Sequence, residues 1–185
     1  MFIKSGFYNV RDIAPPFEFL EETHEELSAG GRWRPKLCLA TSRVAIVIPF
    51  KNRELHLRRF LYNMHPFLQA QQLEYGIFVI EQDNDVPFNR GIIKNVGYTE
   101  AIKSGRYDCV IFHDVDLLPE NLHNWYGCPQ GGSVRHMCIA INYFNYAPLD
   151  KGAVFGGALA WDKDIYKTVN GYSNLFFGWG GEDDD

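Results

Sequence analysis

Two aspartates one residue apart, Asp114 and Asp116, follow directly on the apolar run Tyr107–His113. Side chains alternate along an extended segment, so both carboxylates point to one side. They repel each other unless a cation or a hydrogen-bond network compensates. A hard divalent ion such as Mn²⁺ or Mg²⁺ takes oxygen ligands and bridges phosphates. The pattern therefore points to a metal-diphosphate site, with a solvated acidic turn as the bland alternative. A second group, Gly178-Trp179-Gly180-Gly181-Glu182-Asp183-Asp184-Asp185, closes the chain. Its glycines let the backbone take unusual φ values and approach a ligand. Trp179 offers a flat apolar face that suits a sugar ring, and the carboxylates offer hydrogen bonds to hydroxyls and a general base. The bland alternative is a solvated acidic tail. A third group, Pro49-Phe50-Lys51-Asn52-Arg53, puts two cations at a strand-to-helix turn, where an anionic nucleotide could sit. Phe88-Asn89-Arg90 is the fourth. A single Lys or Arg at such a turn reads as an ordinary solvated cap; three strand ends whose polar residues could converge carry more weight.

The elements that must position these groups are legible from periodicity. Val44–Phe50 is a continuous, largely β-branched run closed by Pro49-Phe50 and predicts a buried strand. Leu57, Phe60, Leu61, Met64 and Leu68 recur at helical spacing, with Pro66 expected to kink the helix or end its first part. Tyr75–Ile80 predicts a second buried strand, residues 89–103 a weaker helix, and Tyr107–His113 a third strand. Strand, helix, strand, helix, strand implies right-handed crossovers and a largely parallel sheet. Ligands of such sheets bind beyond the carboxyl ends of the strands, where all three internal groups lie. The loop-rich remainder predicts strands near 136–143 and 153–161 and a short helix near 162–169. Residues 1–43 read as a polar leader that wraps the domain at 44–185, with a short helix near 18–28.

Composition narrows the class. The chain has 185 residues, 46% hydrophobic and 15% aromatic, enough for a single domain with its own core. That excludes disordered and collagen-like chains. No apolar run approaches the roughly 20 residues of a membrane span, and the first residues show no signal-peptide pattern. The net charge is −5, but leaving out the four acids at 182–185 leaves 19 acidic against 18 basic residues. The body is thus near neutral, with no basic face for nucleic acid. His56, His65, His113, His123 and His136 lack metal-ligand spacing, and no phosphate-binding G-x-x-x-x-G-K-[ST] loop is present. Cys38, Cys109, Cys128 and Cys138 have no zinc-site spacing and are compatible with four thiols or with one or two disulfides.

In this order the pieces resemble the β-1,4-galactosyltransferase family, which includes β-1,4-N-acetylgalactosaminyltransferases and has the GT-A α/β fold, a mostly parallel central sheet flanked by helices. The matching stretches are Val44–Arg53, His65-Pro66, Gln71–Gly76, Phe88–Arg90, Asn95–Gly97, Phe112–Pro119, Arg135-His136, Phe155–Gly157, Asn170-Gly171 and Gly178–Asp185. The resemblance implies an inverting transfer of a hexose from a UDP-sugar to the 4-hydroxyl of a terminal N-acetylglucosamine, or of glucose in some settings. It places Pro49, Phe50, Lys51, Arg53, Phe88 and Arg90 in the UDP site, with Asp114 and Val115 beside the nucleotide. Asp116 would ligate Mn²⁺, and Glu182 would hold the donor sugar. Trp179 would sit where donor meets acceptor, Asp184 would bind acceptor hydroxyls, and Asp183 would be the general base. A disulfide Cys109–Cys128 follows from the same resemblance, as does a type II membrane protein facing the Golgi lumen.

The departures are specific. In the family Met and His residues beyond the Asp-Asp-Asp motif complete the metal site, and this chain stops at Asp185; it also carries no anchor, so it reads as a fragment. The family partner of Cys38 lies upstream and has no counterpart here, and Cys138 is an extra. Tyr143 stands where the family has a lysine that meets the diphosphate. Val154 stands where galactose-transferring members carry Tyr, and a smaller side chain leaves room for the N-acetyl group of UDP-N-acetylgalactosamine. A carbohydrate- or nucleotide-sugar-binding protein without turnover is the alternative to an active transferase.

Overall fold

The computed structural model describes residues 6–148 and 156–183. Val154 and Asp184 lie outside the described residues. In chain order the elements are α1 (Phe17–Thr23), β1 (Arg32–Trp33), β2 (Arg43–Phe50), α2 (Glu54–Ala70), β3 (Glu74–Glu81), α3 (Arg90–Ser104), β4 (Cys109–His113), β5 (Val134–His136), β6 (Ala158–Asp162) and α4 (Lys163–Thr168). One six-stranded sheet has the order β1-β3-β2-β4-β6-β5. Its centre is parallel: β2 pairs with β3 on one side and β4 on the other. The outer strands β1, β6 and β5 all pair antiparallel.

Alternation along β2 divides the core. Val44, Ile46, Ile48 and Phe50 face Leu57, Phe60, Met64, Phe67 and Leu68 of α2. Ala45 and Val47 face the opposite layer, where Ala101 of α3 and Tyr166 of α4 pack. The chain thus leaves β2 to one side through α2 and returns over the other face through α3. The β2–β4 junction is the topological switch point, where open α/β sheets open a crevice for ligands.

Several local expectations need correction. Pro66 neither ends nor divides α2, which runs unbroken for 17 residues. The lost backbone hydrogen bond is outweighed by apolar residues buried on both sides of it. The expected strand at 136–143 shrinks to Val134–His136, and Asn142–Phe144 forms a single 3₁₀ turn. Ile139 and Tyr143 are exposed there, so no packed face rewards extension. The first helix covers Phe17–Thr23 only.

Two buried histidines hold the α2 layer. His65 Nδ1 lies 2.8 Å from the Tyr75 hydroxyl, and burial pushes its pKa down to about 3. His113 is pushed down to about 4 by burial. An unfolded histidine titrates near 6.5, so between that value and the folded pKa the unfolded chain binds more protons. Stability is therefore present above pH 6.5 and is lost as pH falls. Unfolding of wild type and of His65→Leu, measured in urea at pH 6 and pH 5, should diverge by about 1.2 kcal/mol, the wild type losing more. Parallel curves would show that His65 is not buried neutral.

Candidate active site

The carboxyl ends of the three parallel strands deliver the polar groups. Pro49, Lys51, Asn52 and Arg53 follow β2, Phe88 and Arg90 follow β3, and Asp114, Val115 and Asp116 follow β4. With Gly178 and Trp179 they line one cavity of about 520 Å³. Phe50 does not join them. Its side chain takes the other side of the pleat and is buried against the α2 layer, so any part it takes in the wall is through its backbone. Lys51 lines the cavity, yet its ammonium donates to the carbonyls of Asn84 and Val86 at 2.7 and 2.9 Å, pinning the loop after β3.

The Asp114–Asp116 turn is fixed from below. His113 Nδ1 is 2.8 Å from the Asp114 carbonyl, and Nε2 is 2.8 Å from the Tyr126 hydroxyl. A carbonyl only accepts, so Nδ1 carries the proton and Tyr126 donates to Nε2. The Asp114 amide donates to Gly157 O at 2.8 Å. Cys109, at the start of β4, is bonded to Cys128 with Cα atoms 5.4 Å apart. The disulfide expected from the resemblance is thus present, and it ties the segment after the aspartates to the sheet. Cys38 and Cys138 are free thiols, the first exposed.

The C-terminal motif returns to the same place. Asn95 Nδ2 donates to Tyr172 O at 2.8 Å, Asn89 Nδ2 donates to Asn174 O at 2.8 Å, and the Gly178 amide donates to Phe88 O at 2.8 Å. The returning loop runs so close to α3 that any Cβ on Gly91 would collide with the Ser173 carbonyl; only glycine allows this approach. Trp179 is 95% exposed at the cavity wall, its indole unpacked and open to a planar ligand.

Beside Trp179 the carboxylates turn inward. Glu182 is 3% exposed. Arg90 lies 2.9 Å from Glu182, 3.1 Å from Asp183 and 3.2 Å from Asp114. Lys94, equally buried, lies 2.5 Å from Asp183 and 3.5 Å from Glu182, with its ammonium 4.1 Å above the Tyr172 ring. Two cations thus face three carboxylates. Burial pushes Asp114 up to about 6, with Asp116 and Asp183 adding to the rise and Arg90 and Lys94 opposing it. Asp116 faces outward and pairs with Arg53 at 3.2 Å, both about half exposed. Among the described residues no three His, Cys, Asp or Glu side chains converge as a metal-ligand set.

Sequence reasoning missed Lys94 and Tyr172. Lys94 is four residues after Arg90 and so on the same helix face, a spacing that could have flagged it. Nothing local marks Tyr172.

A mixed sheet with a parallel centre, a switch-point cavity, an acidic strand end and a returning aromatic-carboxylate loop define a nucleotide-sugar transferase fold of the GT-A type. Solved structures agree. The catalytic domain of Drosophila β-1,4-galactosyltransferase 7, complexed with xylobiose, superposes with a TM-score of 0.69 at 33% identity, covering 78% of this chain and 58% of that one. A mutant of the same enzyme, complexed with manganese, UDP-Gal and xylobiose, gives 0.68 at 32% identity, with the same shares covered. Residues 3–129 match the N-terminal region of glycosyl transferase group 7, and residues 135–185 match the N-terminal domain of galactosyltransferase. β-1,4-galactosyltransferase 3 of Cricetulus griseus is 48% identical over 171 residues, and β-1,4-galactosyltransferase 1 of Mus musculus 44% over 174. These alignments cover 92% and 94% of this chain and 43% of each relative. The chain belongs to the β-1,4-galactosyltransferase family, glycosyltransferase group 7. It spans less than half the length of the curated relatives it matches.

Proposed function

We propose that this chain forms the donor site and the base of an inverting glycosyltransferase. It moves galactose or N-acetylgalactosamine from a UDP-sugar, in β-1,4 linkage, to terminal N-acetylglucosamine of glycoconjugates. The observation that carries this reading is the cavity shared by three strand ends and Trp179, one of whose lining residues, Arg90, also holds Asp183 together with Lys94.

Each residue has a chemical task. Arg53 and Arg90 meet the diphosphate, and Pro49, Phe88 and Val115 wall the uridine. Lys51 shapes that wall through the loop it pins. Glu182 has Oε1 held in ion pairs by Arg90 at 2.9 Å and Lys94 at 3.5 Å, which leaves its other oxygen as the acceptor for a donor-sugar hydroxyl. Trp179 stacks on the sugar face at the junction, and Asp184 binds acceptor hydroxyls. A carboxylate has about four lone-pair sites; Lys94 and Arg90 take one each on Asp183, so others remain for the acceptor hydroxyl. Asp183 takes the proton of the 4-hydroxyl, that oxygen bonds to the anomeric carbon, and the carbon–UDP bond breaks with its electron pair leaving on UDP. One attack inverts the centre.

Asp116 is a hard oxygen donor on the cavity wall and fits one position of a Mn²⁺ site; the rest of that set is not found among the described residues. The ion, when bound, would supply positive charge for the departing diphosphate. The disulfide suits an oxidising compartment, in keeping with a Golgi lumenal site and membrane anchorage of type II. Among the described residues no helix is long and apolar enough to cross a membrane.

The test is transfer to a GlcNAc-terminated acceptor with Mn²⁺ and each donor. UDP-Gal and UDP-GalNAc should be used at comparable kcat/KM, and Val154→Tyr should move preference towards galactose. A strong native preference for UDP-Gal would sink the donor assignment. Binding of both donors with no transfer would make the chain a nucleotide-sugar-binding protein instead.

A further inference from the structure

Lys94 is a full cation at a position with almost no access to water. Its side chain is 3% exposed, as is that of no other lysine among the ion pairs described. Burying an ammonium costs several kcal/mol unless its charge is matched. Helix α3 could have closed this face with an apolar residue, as it does at Ile93 and Ala101. The ammonium instead sits on the Tyr172 ring at 4.1 Å and donates to Asp183 Oδ1 at 2.5 Å. Arg90 donates to the other oxygen, Oδ2, at 3.1 Å. The two grips fix both the rotation and the depth of one carboxylate.

We propose that Lys94 is a positioning residue for the transfer. It clamps Oδ1 of Asp183 so that the remaining lone pairs face the acceptor hydroxyl. The inference rests on the reading of Asp183 as the base. The acceptor proton goes to Asp183 and then to solvent, and the charge that leaves with UDP is not the concern of Lys94. The groups facing Asp183 are Arg90 and Lys94 from α3, Asp114 from the end of β4, Glu182 from its own loop and Tyr172 from the loop after α4. Of these, Arg90 is shared among three carboxylates, whereas Lys94 makes its short contact to Asp183 alone. Removing Lys94 therefore acts first on Asp183. A carboxylate that loses a nearby cation holds its proton to higher pH.

The experiment compares wild type, Lys94→Met and Lys94→Gln by thermal unfolding and by kcat and KM for both substrates between pH 5 and 8. Gln keeps one donor for Asp183 without the charge and so guards against misfolding. In each variant that folds, kcat should fall about 10- to 100-fold with donor KM within a factor of three. The acid limb of the kcat profile should move to higher pH. In an Asp183→Asn background, Lys94→Gln should add less than a threefold further loss, because its effect runs through the missing carboxylate. An unmoved acid limb, full additivity in the double variant, or failure of both variants to fold would overturn the proposal and leave Lys94 structural. A wild type that transfers nothing would instead sink the reading of the site itself, whatever the variants do.

Discussion

Asp183→Asn should lower the transfer rate by about 10²- to 10⁴-fold, the range a positioned general base contributes. The substitution keeps the size and one oxygen of the side chain, so one of Lys94 and Arg90 keeps its acceptor. It removes the ability to take the 4-hydroxyl proton. The acceptor alcohol is a poor nucleophile until that proton leaves, so the loss should appear in kcat while KM for UDP-sugar stays close to wild type. Binding of the donor, followed by calorimetry, should also persist, because the strand-end residues that line the cavity are untouched. Initial rates with a GlcNAc-terminated acceptor provide the measurement. A variant within a factor of five of wild type would mean that the proton goes elsewhere, and that the ion pairs to Asp183 serve stability alone.

Arg90→Leu should be the most destabilising single change in the site. The guanidinium lies within 3.2 Å of Asp114, Glu182 and Asp183 at once. Replacing a whole buried ion cluster by apolar residues can be neutral, but removing one partner leaves uncompensated charge and costs about 3–5 kcal/mol. Here the loss would leave three carboxylates against Lys94. For a domain of this size that corresponds to a Tm lower by roughly 10 °C. Carboxylates thus freed of their cation would protonate more readily, so acid should partly rescue the variant, and its deficit should be smaller at pH 5 than at pH 8. Thermal unfolding at the two pH values measures both effects. A variant as stable as wild type at pH 8 would show that the cluster is hydrated rather than buried.

Gly91 and Ser173 show where local sequence stops being informative. Gly91 sits in the first turn of α3, a place where glycine has no local advantage. Its reason is a carbonyl 82 residues further along the chain. The same holds for Lys94, whose value depends on Glu182 and Asp183 arriving from the far end of the sequence. The Asn89 and Asn95 side chains bring that end back, by hydrogen bonds to Asn174 and Tyr172.

What the sequence determined by itself is what nearest-neighbour burial encodes. Continuous apolar runs became the three parallel strands, helical spacing became α2 and α3, and turn residues put Arg53, Arg90, Asp114 and Asp116 at strand ends. Topology alone then required those ends to lie at one edge of the sheet. The motif resemblance supplied the Cys109–Cys128 bond and the family. Tertiary structure decided the rest. Phe50 turned into the core because the pleat of β2 assigns alternate residues to opposite faces and α2 covers that face. Pro66 stayed inside α2 because the sheet buries both of its flanks. The outer strands ran antiparallel, a matter of loop closure and not of composition. The pairing of Arg90 and Lys94 with Glu182 and Asp183 joins residues about 90 positions apart, and only the packed fold, where desolvation makes unpaired charge expensive, selects it.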